Sequence, residues 1–431
     1  MNSVWGESVK QAQFNSLQEN IRTDVLVIGG GITGILCTYM LKNAGVDCVL
    51  VEADRICGGI TKNTTAKITM QHGLIYNTLI KQFGMDKAQG YAEAQKKALE
   101  MYERLCKEFP CDYEQKDAYV YTLDNRAKIE RESEALQRLG YKAFFSETPH
   151  LPLQTAGAVC LQNQAQFHPL KFLYGIAKNL PIYEKTKVKE LLPNKAVTEN
   201  GEILCKKIIV ATHFPILNKH GGYFMKMYQH RSYVLALADA ADVCGMYIDE
   251  AETGMSFRSY NGLLLLGGGS HRTGKQGGGW KPLEAFAKKV YPNAKMVSRW
   301  ATQDCMTLDS IPYIGQYAKG TQDLYVATGF NKWGMSSAMV AAMILSDMVR
   351  GKNNPYADVF SPSRSIYYPQ LLSNVLASFA GFMRPTVPRC PHLGCALQYN
   401  REEHSWDCPC HGSRFTEKGE LIDNPATDDM K

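Results

Sequence analysis

The sequence lacks any hydrophobic run long enough to cross a membrane. Its longest apolar stretch, residues 335–348, is interrupted by three serines and by Asp347, whereas a spanning helix needs about 20 mostly apolar residues. It also lacks a cluster of Lys and Arg, and a net charge of +6 over 431 residues is modest, so nucleic acid is a poor candidate partner. The N-terminus is polar and has no apolar secretory core. We therefore predict a cytoplasmic protein with no membrane span.

The cysteines do not form the regular pattern of a secreted disulfide scaffold. There are thirteen of them, an odd number, and most are scattered along the chain, which argues against an extracellular framework. Four are concentrated between residues 390 and 410. Internal repeats and low-complexity segments are also absent. The length of 431 residues predicts more than one domain. A content of 45% hydrophobic and 21% charged residues indicates a globular protein.

A glycine-rich turn near the N-terminus carries the first strong motif. Residues 25–28 form a short apolar run typical of a buried parallel strand. Gly29, Gly31 and Gly34 follow in the spacing G-x-G-x-x-G, and Glu52 comes eighteen residues after the last glycine. In this context the glycines allow a tight turn and close approach to a pyrophosphate, and the acid accepts hydrogen bonds from a ribose. The pattern predicts a dinucleotide site and leaves FAD and NAD open.

The remaining chain alternates between helical and strand-like patterns. Helices are predicted over residues 74–83 and from Asp86 onward, and a strand over residues 182–191. From about residue 228 to 268 the pattern changes to closely spaced strands, with Asn261-Gly262 as a two-residue hairpin turn. A strand at residues 324–329 and a long helix at 334–349 follow. We interpret this as a nucleotide-binding fold interleaved with an antiparallel sheet.

Five segments together resemble the D-amino-acid-oxidase-like superfamily of FAD oxidoreductases, which includes glycine and sarcosine oxidases. They are DVLVIGGGITG, VEADR, KKIIVATH, DSIPYIG and ATGFNKWGMSSA, and the resemblance covers about residues 22–352. It implies an α/β fold in residues 1–352, with a Rossmann-like FAD-binding domain and an interleaved antiparallel-sheet substrate domain. The FAD-binding parts are expected at about residues 22–80, 150–215 and 305–352, and the substrate domain at about 81–149 and 216–304.

The cofactor implied by this resemblance is FAD and not NAD. The strand at residues 324–329 and the helix at 334–349 favour it, because the resemblance includes them in the FAD-binding domain. The helix N-terminus at residue 334 carries partial positive charge that can stabilise an anionic reduced flavin. The predicted FAD-binding residues, some from the resemblance and some from polar or glycine-rich loops, are Gly29, Gly31, Thr33, Gly34, Glu52, Arg55, Gly59, Thr61, Asn63, Thr65, Val188, Thr212, Gly329, Gly334 and Met335.

The substrate end of the predicted site departs from the superfamily's pattern. Its amino-acid oxidases carry a carboxylate-binding Arg five residues before the Asp of D-x-x-P-x-I-G, and this chain has Asp304 there, before Asp309. A carboxylate repels an amino acid's carboxylate and attracts an ammonium ion, although a solvated loop acid is the plainer interpretation. We therefore predict an amine-like substrate, with four catalytic candidates: Asp304, Arg258, His271 and Trp333.

The C-terminal tail carries the second strong motif. Cys390-x-His392 and Cys408-x-x-His411 are separated by fifteen residues. Two cysteines and two histidines suit a zinc ion as well as an iron–sulfur cluster. The fuller blocks CPHLGC and CPCHG closely resemble the Rieske motif, which implies a 2Fe–2S cluster held by these four residues. The same resemblance places Cys395 and Cys410 where high-potential Rieske proteins have a disulfide, whereas a cytosolic compartment opposes one.

The predicted Rieske module, residues 389–431, is short and all-β, and it follows a linker at residues 353–388. A piece of this size has little core of its own. We expect it to pack on the flavoprotein or on a second copy of the chain, so that a homo-oligomer stays open.

Two functions fit these motifs. In the first, a dehydrogenase or oxidase oxidises a small amine or amino-acid-like substrate through FAD and passes electrons through the cluster to an unknown acceptor. In the second, the chain shuttles electrons between protein partners and has no organic substrate of its own. A Rieske oxygenase needs a mononuclear iron held by two His and a carboxylate, and no H-x4-H pair with a neighbouring acid is present.

Overall fold

The structure is a computed structural model, and it describes residues 3–147, 150–217, 220–366, 368, 370–372, 374 and 388–430. Its described helices are Val4–Glu7, Ile32–Asn43, Ile75–Glu108, Arg126–Arg138, Pro169–Ala177, Tyr223–Lys226, Lys281–Val290, Gly334–Val349 and Ala357–Phe360. Most of the predicted 353–388 linker beyond residue 366 lies outside the described residues. Within them, no helix is long and apolar enough to cross a membrane.

The first sheet is the mainly parallel sheet that the glycine motif predicts. Its strands lie in the order Tyr313–Gln316, Leu324–Thr328, Glu202–Val210, Ile21–Ile28, Cys48–Val51 and Ile182–Tyr183, with the hairpin Glu190–Leu192 and Lys195–Val197 attached to one of them. The two longest central strands pair in parallel, and their carboxyl-terminal residues are buried. Helices Ile32–Asn43 and Gly334–Val349 pack together and are buried along most of their length. This arrangement suits a parallel sheet, which must be covered on both faces.

The second sheet is larger and mostly antiparallel, and it forms the floor of the predicted substrate domain. Its strands lie in the order Lys295–Thr307, Met227–Ala238, Leu263–Arg272, Ser256–Tyr260, Met246–Asp249, Glu114–Thr122, Gly157–Gln166 and Lys67–Ile68, and Ala143–Ser146 pairs with Gly157–Gln166. The turn at Asn261 and Gly262 has φ of 48° and 74°. Positive φ at both positions is the type I′ geometry expected of an Asn-Gly hairpin.

Two details differ from the sequence predictions, and a third agrees with them. The expected strand over 182–191 is two short strands, because Lys185 turns with φ of 48°. Strand Gly157–Gln166 lies in the second sheet, although residues 150–215 were assigned to FAD binding. The two predicted helices near residue 84 are confirmed, because the helical segment Ile75–Glu108 is broken at Gly84, with φ 82° and ψ 171°. Glycine alone reaches that conformation readily.

The C-terminal residues form a third, four-stranded antiparallel sheet, as the Rieske motif predicts. Its strands are Gln398–Asn400, Ser405–Asp407, Arg414–Thr416 and Leu421–Asp423, in that order. Arg414 is buried and pairs with Glu403, Asp407 and Asp423. Three carboxylates raise the pKa of its guanidinium, against the opposing effect of burial. We call residues 388–430 the cluster module.

Candidate functional site

A cavity of about 980 Å³ lies between the first and second sheets. It begins at the carboxyl ends of Ile21–Ile28 and Glu202–Val210 and reaches strands Met227–Ala238 and Lys295–Thr307. Carboxyl ends of parallel strands are where open α/β sheets bind ligands. The cavity is therefore placed to accept a dinucleotide at one end and a substrate at the other.

The three motif glycines have three separate roles at the entrance to helix Ile32–Asn43. Gly29 has φ of 109°, and a Cβ there would lie 2.6 Å from the Ala211 carbonyl oxygen. A Cβ on Gly34 would lie 1.9 Å from the Gly29 carbonyl oxygen, so this glycine permits close packing. Gly31 lines the cavity, and a Cβ there would meet only the Thr61 hydroxyl, at 3.2 Å. The open backbone at a helix N-terminus fits a pyrophosphate.

Glu52 is fixed at the same end of the cavity. Its two carboxylate oxygens accept hydrogen bonds from Gly30 N at 2.6 Å and Asp54 N at 2.9 Å. Burial is the largest influence and raises the pKa of Glu52, while these backbone bonds oppose the rise. Each oxygen has a second lone pair, so the residue keeps acceptors for ribose hydroxyls. The Glu52 carboxylate thus fits the ribose in the adenosine half of FAD.

Most of the predicted FAD-binding residues line this cavity. They are Gly29, Gly31, Thr33, Glu52, Arg55, Gly59, Thr61, Thr65, Val188, Thr212, Gly329, Gly334 and Met335. Arg55 is held by the buried Glu184, 2.6 Å away, so its charge is already paired. Two predicted residues do not line the cavity: Gly34 lies beneath the turn, and the Asn63 side chain bonds back to the Gly59 carbonyl oxygen at 3.5 Å.

The flavin end of the cavity is built around the N-terminus of helix Gly334–Val349. Trp333 lies at this terminus and its ring stacks on His72, with centroids 4.8 Å apart. Burial lowers the pKa of His72 to about 3, so the imidazole is neutral. Tyr102 donates to the Met335 carbonyl oxygen at 2.8 Å. His72 was not a sequence candidate, since nothing in its local pattern separates it from a buried core histidine.

Asp304 lies in the cavity wall together with a lysine that the sequence analysis did not single out. Burial raises the pKa of Asp304 to about 6, although Lys332 and Arg231 oppose the rise. Burial also lowers the pKa of Lys332, whose ammonium donates to the Ser270 hydroxyl at 3.0 Å. This end of the cavity therefore carries a carboxyl group and an amino group whose pKa values are both shifted by burial. Lys332 stands in the quoted segment ATGFNKWGMSSA, so motif position was its available signal.

Two catalytic candidates are placed elsewhere. Arg258 is fully buried outside the cavity, and its guanidinium donates to the carbonyl oxygens of Thr65 and Ala66 at 2.6 and 2.8 Å. It supports the loop that carries Thr65. His271 also lies outside the cavity, with its ring stacked on Tyr233 at 5.7 Å. Neither side chain lines the cavity, so their positions do not support the two catalytic assignments. The pattern of buried strands could not show which face each side chain occupies.

The four predicted cluster ligands lie on two matching loops of the cluster module. Gly394 N donates to the Cys390 carbonyl oxygen at 2.9 Å, and Gly412 N to the Cys408 carbonyl oxygen at 3.0 Å. Cys390, Cys408 and His411 are buried, and the rings of His392 and His411 have centroids 5.1 Å apart. Cys395 and Cys410 are joined by a disulfide that ties the two loops. The structure therefore brings together all the residues that the motif names.

The chemistry of these groups fits a metal cluster. The Nδ1 atom of His411 is buried and has no hydrogen-bond partner among the described residues. Burial lowers the pKa of His411 to about 3 and that of His392 to about 4, so both imidazoles are neutral. The hydrogen bond between the two thiols lowers the pKa of Cys390 to about 7 and raises that of Cys408. Neutral imidazole and thiolate are the forms that bind metals.

The cluster module packs directly on the second sheet. Gln229 donates to the carbonyl oxygens of His411 and Asn424 at 2.8 and 3.0 Å. Gln303 donates to the Gly412 carbonyl oxygen at 2.9 Å and to the Gln229 side chain at 2.6 Å. The Phe224 ring meets His411 edge-on, with centroids 5.9 Å apart. The expectation that the short module uses the flavoprotein as its support is confirmed.

Comparison with protein families assigns both parts of the chain. Residues 24–348 match the family described as FAD dependent oxidoreductase, and residues 375–431 match the Rieske [2Fe-2S] domain. YhfW of Bacillus subtilis (strain 168), whose name assigns it a Rieske 2Fe-2S centre, is 34% identical over all of this chain and 97% of its own length. Gamma-glutamylputrescine oxidoreductase of Escherichia coli (strain K12) is 24% identical over 79% of this chain and 87% of its own.

Solved structures support the fold. L-proline dehydrogenase from P. horikoshii and glycine oxidase from Geobacillus kaustophilus each superpose with a TM-score of 0.68 at 17% identity over 80% of this chain, and over 98% and 99% of their own chains. Both superpositions leave out about a fifth of this chain. The fold class predicted from the sequence, with FAD and a Rieske 2Fe–2S cluster as cofactors, is confirmed by these matches taken together.

Proposed function

This chain belongs to the FAD dependent oxidoreductase family and ends in a Rieske [2Fe-2S] domain, and on that basis we propose that it oxidises a small amine-like substrate and passes the electrons to a protein acceptor. Bound together, FAD accepts the two electrons that leave with the substrate's hydride, and the cluster accepts electrons singly. Loss of hydride from carbon and of a proton from nitrogen leaves an imine. The residues of the chain select the substrate, orient it and accept the proton from its nitrogen.

The observation that carries this proposal is the position of strand Lys295–Thr307. Its residue Gln303 holds the cluster loop through the Gly412 carbonyl oxygen, 2.9 Å away, and the next residue, Asp304, lines the FAD cavity. Successive strand residues point to opposite faces. One strand thus separates the substrate cavity from the cluster ligands.

Asp304 and Lys332 are the groups proposed to handle substrate charge. An ionised Asp304 attracts an ammonium ion in a site where charges are poorly screened. With a pKa of about 6, Asp304 is mostly ionised at neutral pH. The pKa of Lys332 is lowered by burial, and in its neutral amine form this side chain is the candidate acceptor for the substrate's nitrogen proton.

The test is anaerobic mixing of the protein with a panel of amines and amino acids, followed by absorbance of flavin and cluster. The proposal expects amines to bleach the flavin first and the cluster to be reduced afterwards. The relatives' printed names concern L-proline, glycine and gamma-glutamylputrescine, so these compounds belong in the panel. If no amine reduces the flavin while a reductase protein does, the chain is an electron shuttle without an organic substrate.

A further inference from the structure

The FAD cavity is closed on one side by residues that lie in the cluster module. Residues 421–429 begin with the last strand, Leu421–Asp423. They contribute seven residues to the cavity wall: Leu421, Ile422, Asp423, Asn424, Ala426, Thr427 and Asp429. Asn424 lies 212 positions away in sequence from Thr212, the predicted FAD-binding residue that it contacts. Nothing in the glycine motif or in the Rieske motif implies such a contact.

The segment is attached at the nucleotide end of the cavity. The Asn424 side-chain amide donates to the carbonyl oxygens of Thr212 and Phe214 at 2.6 and 2.8 Å. Lys187 donates to the Thr427 carbonyl oxygen. Thr212 and Lys187 themselves line the cavity, beside Val188. The attachment points are therefore part of the wall that is predicted to surround the adenosine half of FAD.

The same segment is fixed on its other side to the cluster loops. The Asn424 carbonyl oxygen accepts from Gln229, which also holds the His411 carbonyl oxygen at 2.8 Å. The backbone N–H of Ala426 donates to the Ser413 hydroxyl at 2.9 Å, within the loop that follows His411. Asn424 is thus linked to the cluster-ligand loop through one residue, Gln229, and is bonded directly to the nucleotide end of the cavity wall.

We propose that residues 421–429 of the cluster module are part of the FAD-binding site, so that docking of the module and retention of FAD are coupled. The coupling rests on the family's cofactor and does not depend on the substrate or on the electron path of the proposed function. A module that contacts FAD when docked must bind more tightly when FAD is present, and FAD must be held more tightly when the module is docked, because linkage is reciprocal.

The direct test is the rate of FAD release from the full-length holoprotein, followed by the rise in FAD fluorescence after dilution. Asn424→Asp keeps the size of the side chain, replaces a double donor with an acceptor and sets it against two carbonyl oxygens. We expect release about tenfold faster, within the usual range of coupling between sites. Asn353→Asp makes the same chemical change at an exposed position outside the module and should release FAD at the wild-type rate.

A second variant, Ile422→Ala, tests the proposal independently in case Asn424→Asp does not fold. Ile422 lines the cavity while 46% of it remains exposed, so Ile422→Ala alters the wall without opening a core. Visible absorbance of the cluster shows whether the module is intact in each protein. Faster FAD release from Ile422→Ala with an intact cluster supports the coupling, even if Asn424→Asp does not fold. Wild-type release rates in Ile422→Ala, or in a folded Asn424→Asp, overturn it, whether or not the protein oxidises amines.

Discussion

Individual residues decide whether the cavity can hold its cofactor. Gly31 lines the wall at the start of helix Ile32–Asn43, where backbone must approach a pyrophosphate. Gly31→Val places a branched side chain in that space, and we expect the purified protein to contain little or no FAD. The check is FAD released on denaturation, per mole of protein. Gly6→Val, at a site where nothing lies within 4 Å of a Cβ, should keep the wild-type content; equal content in Gly31→Val would contradict the site.

A second residue-scale prediction concerns substrate charge. Asp304 has a pKa raised to about 6 by burial, so it gains its negative charge as the pH rises through 6. For a cationic amine, kcat/KM should rise over the same range, because that parameter reports groups of the free enzyme. Asp304→Asn should remove the rise near pH 6 and lower kcat/KM about 10- to 100-fold, the value of a hydrogen bond to a charged group.

Glu252→Gln supplies the matched comparison for this prediction. Glu252 lies in the same cavity but has a side chain 64% exposed and close to His230. That variant should keep the inflection near pH 6. An unchanged profile in Asp304→Asn would remove this residue from the substrate site.

The sequence predicted residues well where a motif fixed their chemistry and poorly where only a fold could. Gly31 and Cys390 belong to motifs whose spacing is restricted, because the residues must meet a pyrophosphate or a metal cluster in a fixed geometry. Arg258 and His271 lie on strands whose two faces cannot be told apart without knowing what each face covers, and both proved to lie outside the cavity. Lys332 enters the site through a turn with φ of 72°, which no periodicity indicates.

At the scale of elements, the segment after helix Ala357–Phe360 ties the chain back to the flavoprotein. Arg364 holds the buried Asp309 through two hydrogen bonds of 2.5 and 2.8 Å, and its guanidinium lies 3.9 Å from the Tyr313 ring centroid. Removing one partner of a buried pair leaves an uncompensated charge. We predict that Arg364→Met lowers the free energy of unfolding by about 3–5 kcal/mol, as measured by urea denaturation.

The comparison for this variant is a partly exposed pair of the same kind. Arg350 lies 2.7 Å from Asp347, and both side chains are 27% exposed. Arg350→Met should cost no more than about 1 kcal/mol, as is usual for surface pairs. Equal losses in the two variants would contradict the stabilising role assigned to the buried pair of Arg364 and Asp309.

Strand Lys295–Thr307 gives a further prediction, because its two faces serve different cofactors. Gln303 is fully buried and bonds to Gly412, Gln229 and Thr273. Gln303→Met keeps the length of the side chain and removes the bonds that hold the cluster loop. We expect slower electron transfer from flavin to cluster in stopped-flow absorbance, while the substrate bleaches the flavin at the wild-type rate. Unchanged transfer would mean that the loop holds its place without Gln303.

Elements were predicted best where local signals coincide. Helix Gly334–Val349 has the predicted bounds because an apolar run is flanked by glycines, at Gly334 and Gly351. Strand Gly157–Gln166 pairs in the second sheet, although it falls within the range 150–215 that was assigned to FAD binding, because its apolar residues indicate a buried strand and not its partner. Pairing depends on contacts that are distant in sequence, with Glu114–Thr122 on one side and Ala143–Ser146 on the other.

At the scale of the whole molecule, two modules share buried polar contacts. Arg231 and Tyr233 of the second sheet both bind Glu403 of the cluster module, and Gln229 and Gln303 hold its ligand loops. Both motifs were recognisable in the sequence, but their relative placement was not. Interfaces of this kind depend on single side chains such as Gln229, and no pattern in the neighbouring sequence identifies such a residue as an interface contact.

The central claim is that the cluster carries electrons away from the flavin. Cys390→Ala removes a cluster ligand and leaves the Asp304 end of the cavity unchanged, and added FAD keeps the flavin site filled in that variant. The decisive measurement is anaerobic stopped-flow absorbance of both proteins, mixed first with an amine that reduces the flavin and then with a one-electron dye. The relay predicts equal flavin reduction by the amine and much slower flavin reoxidation by the dye in Cys390→Ala. Equally fast reoxidation with and without the cluster would contradict it.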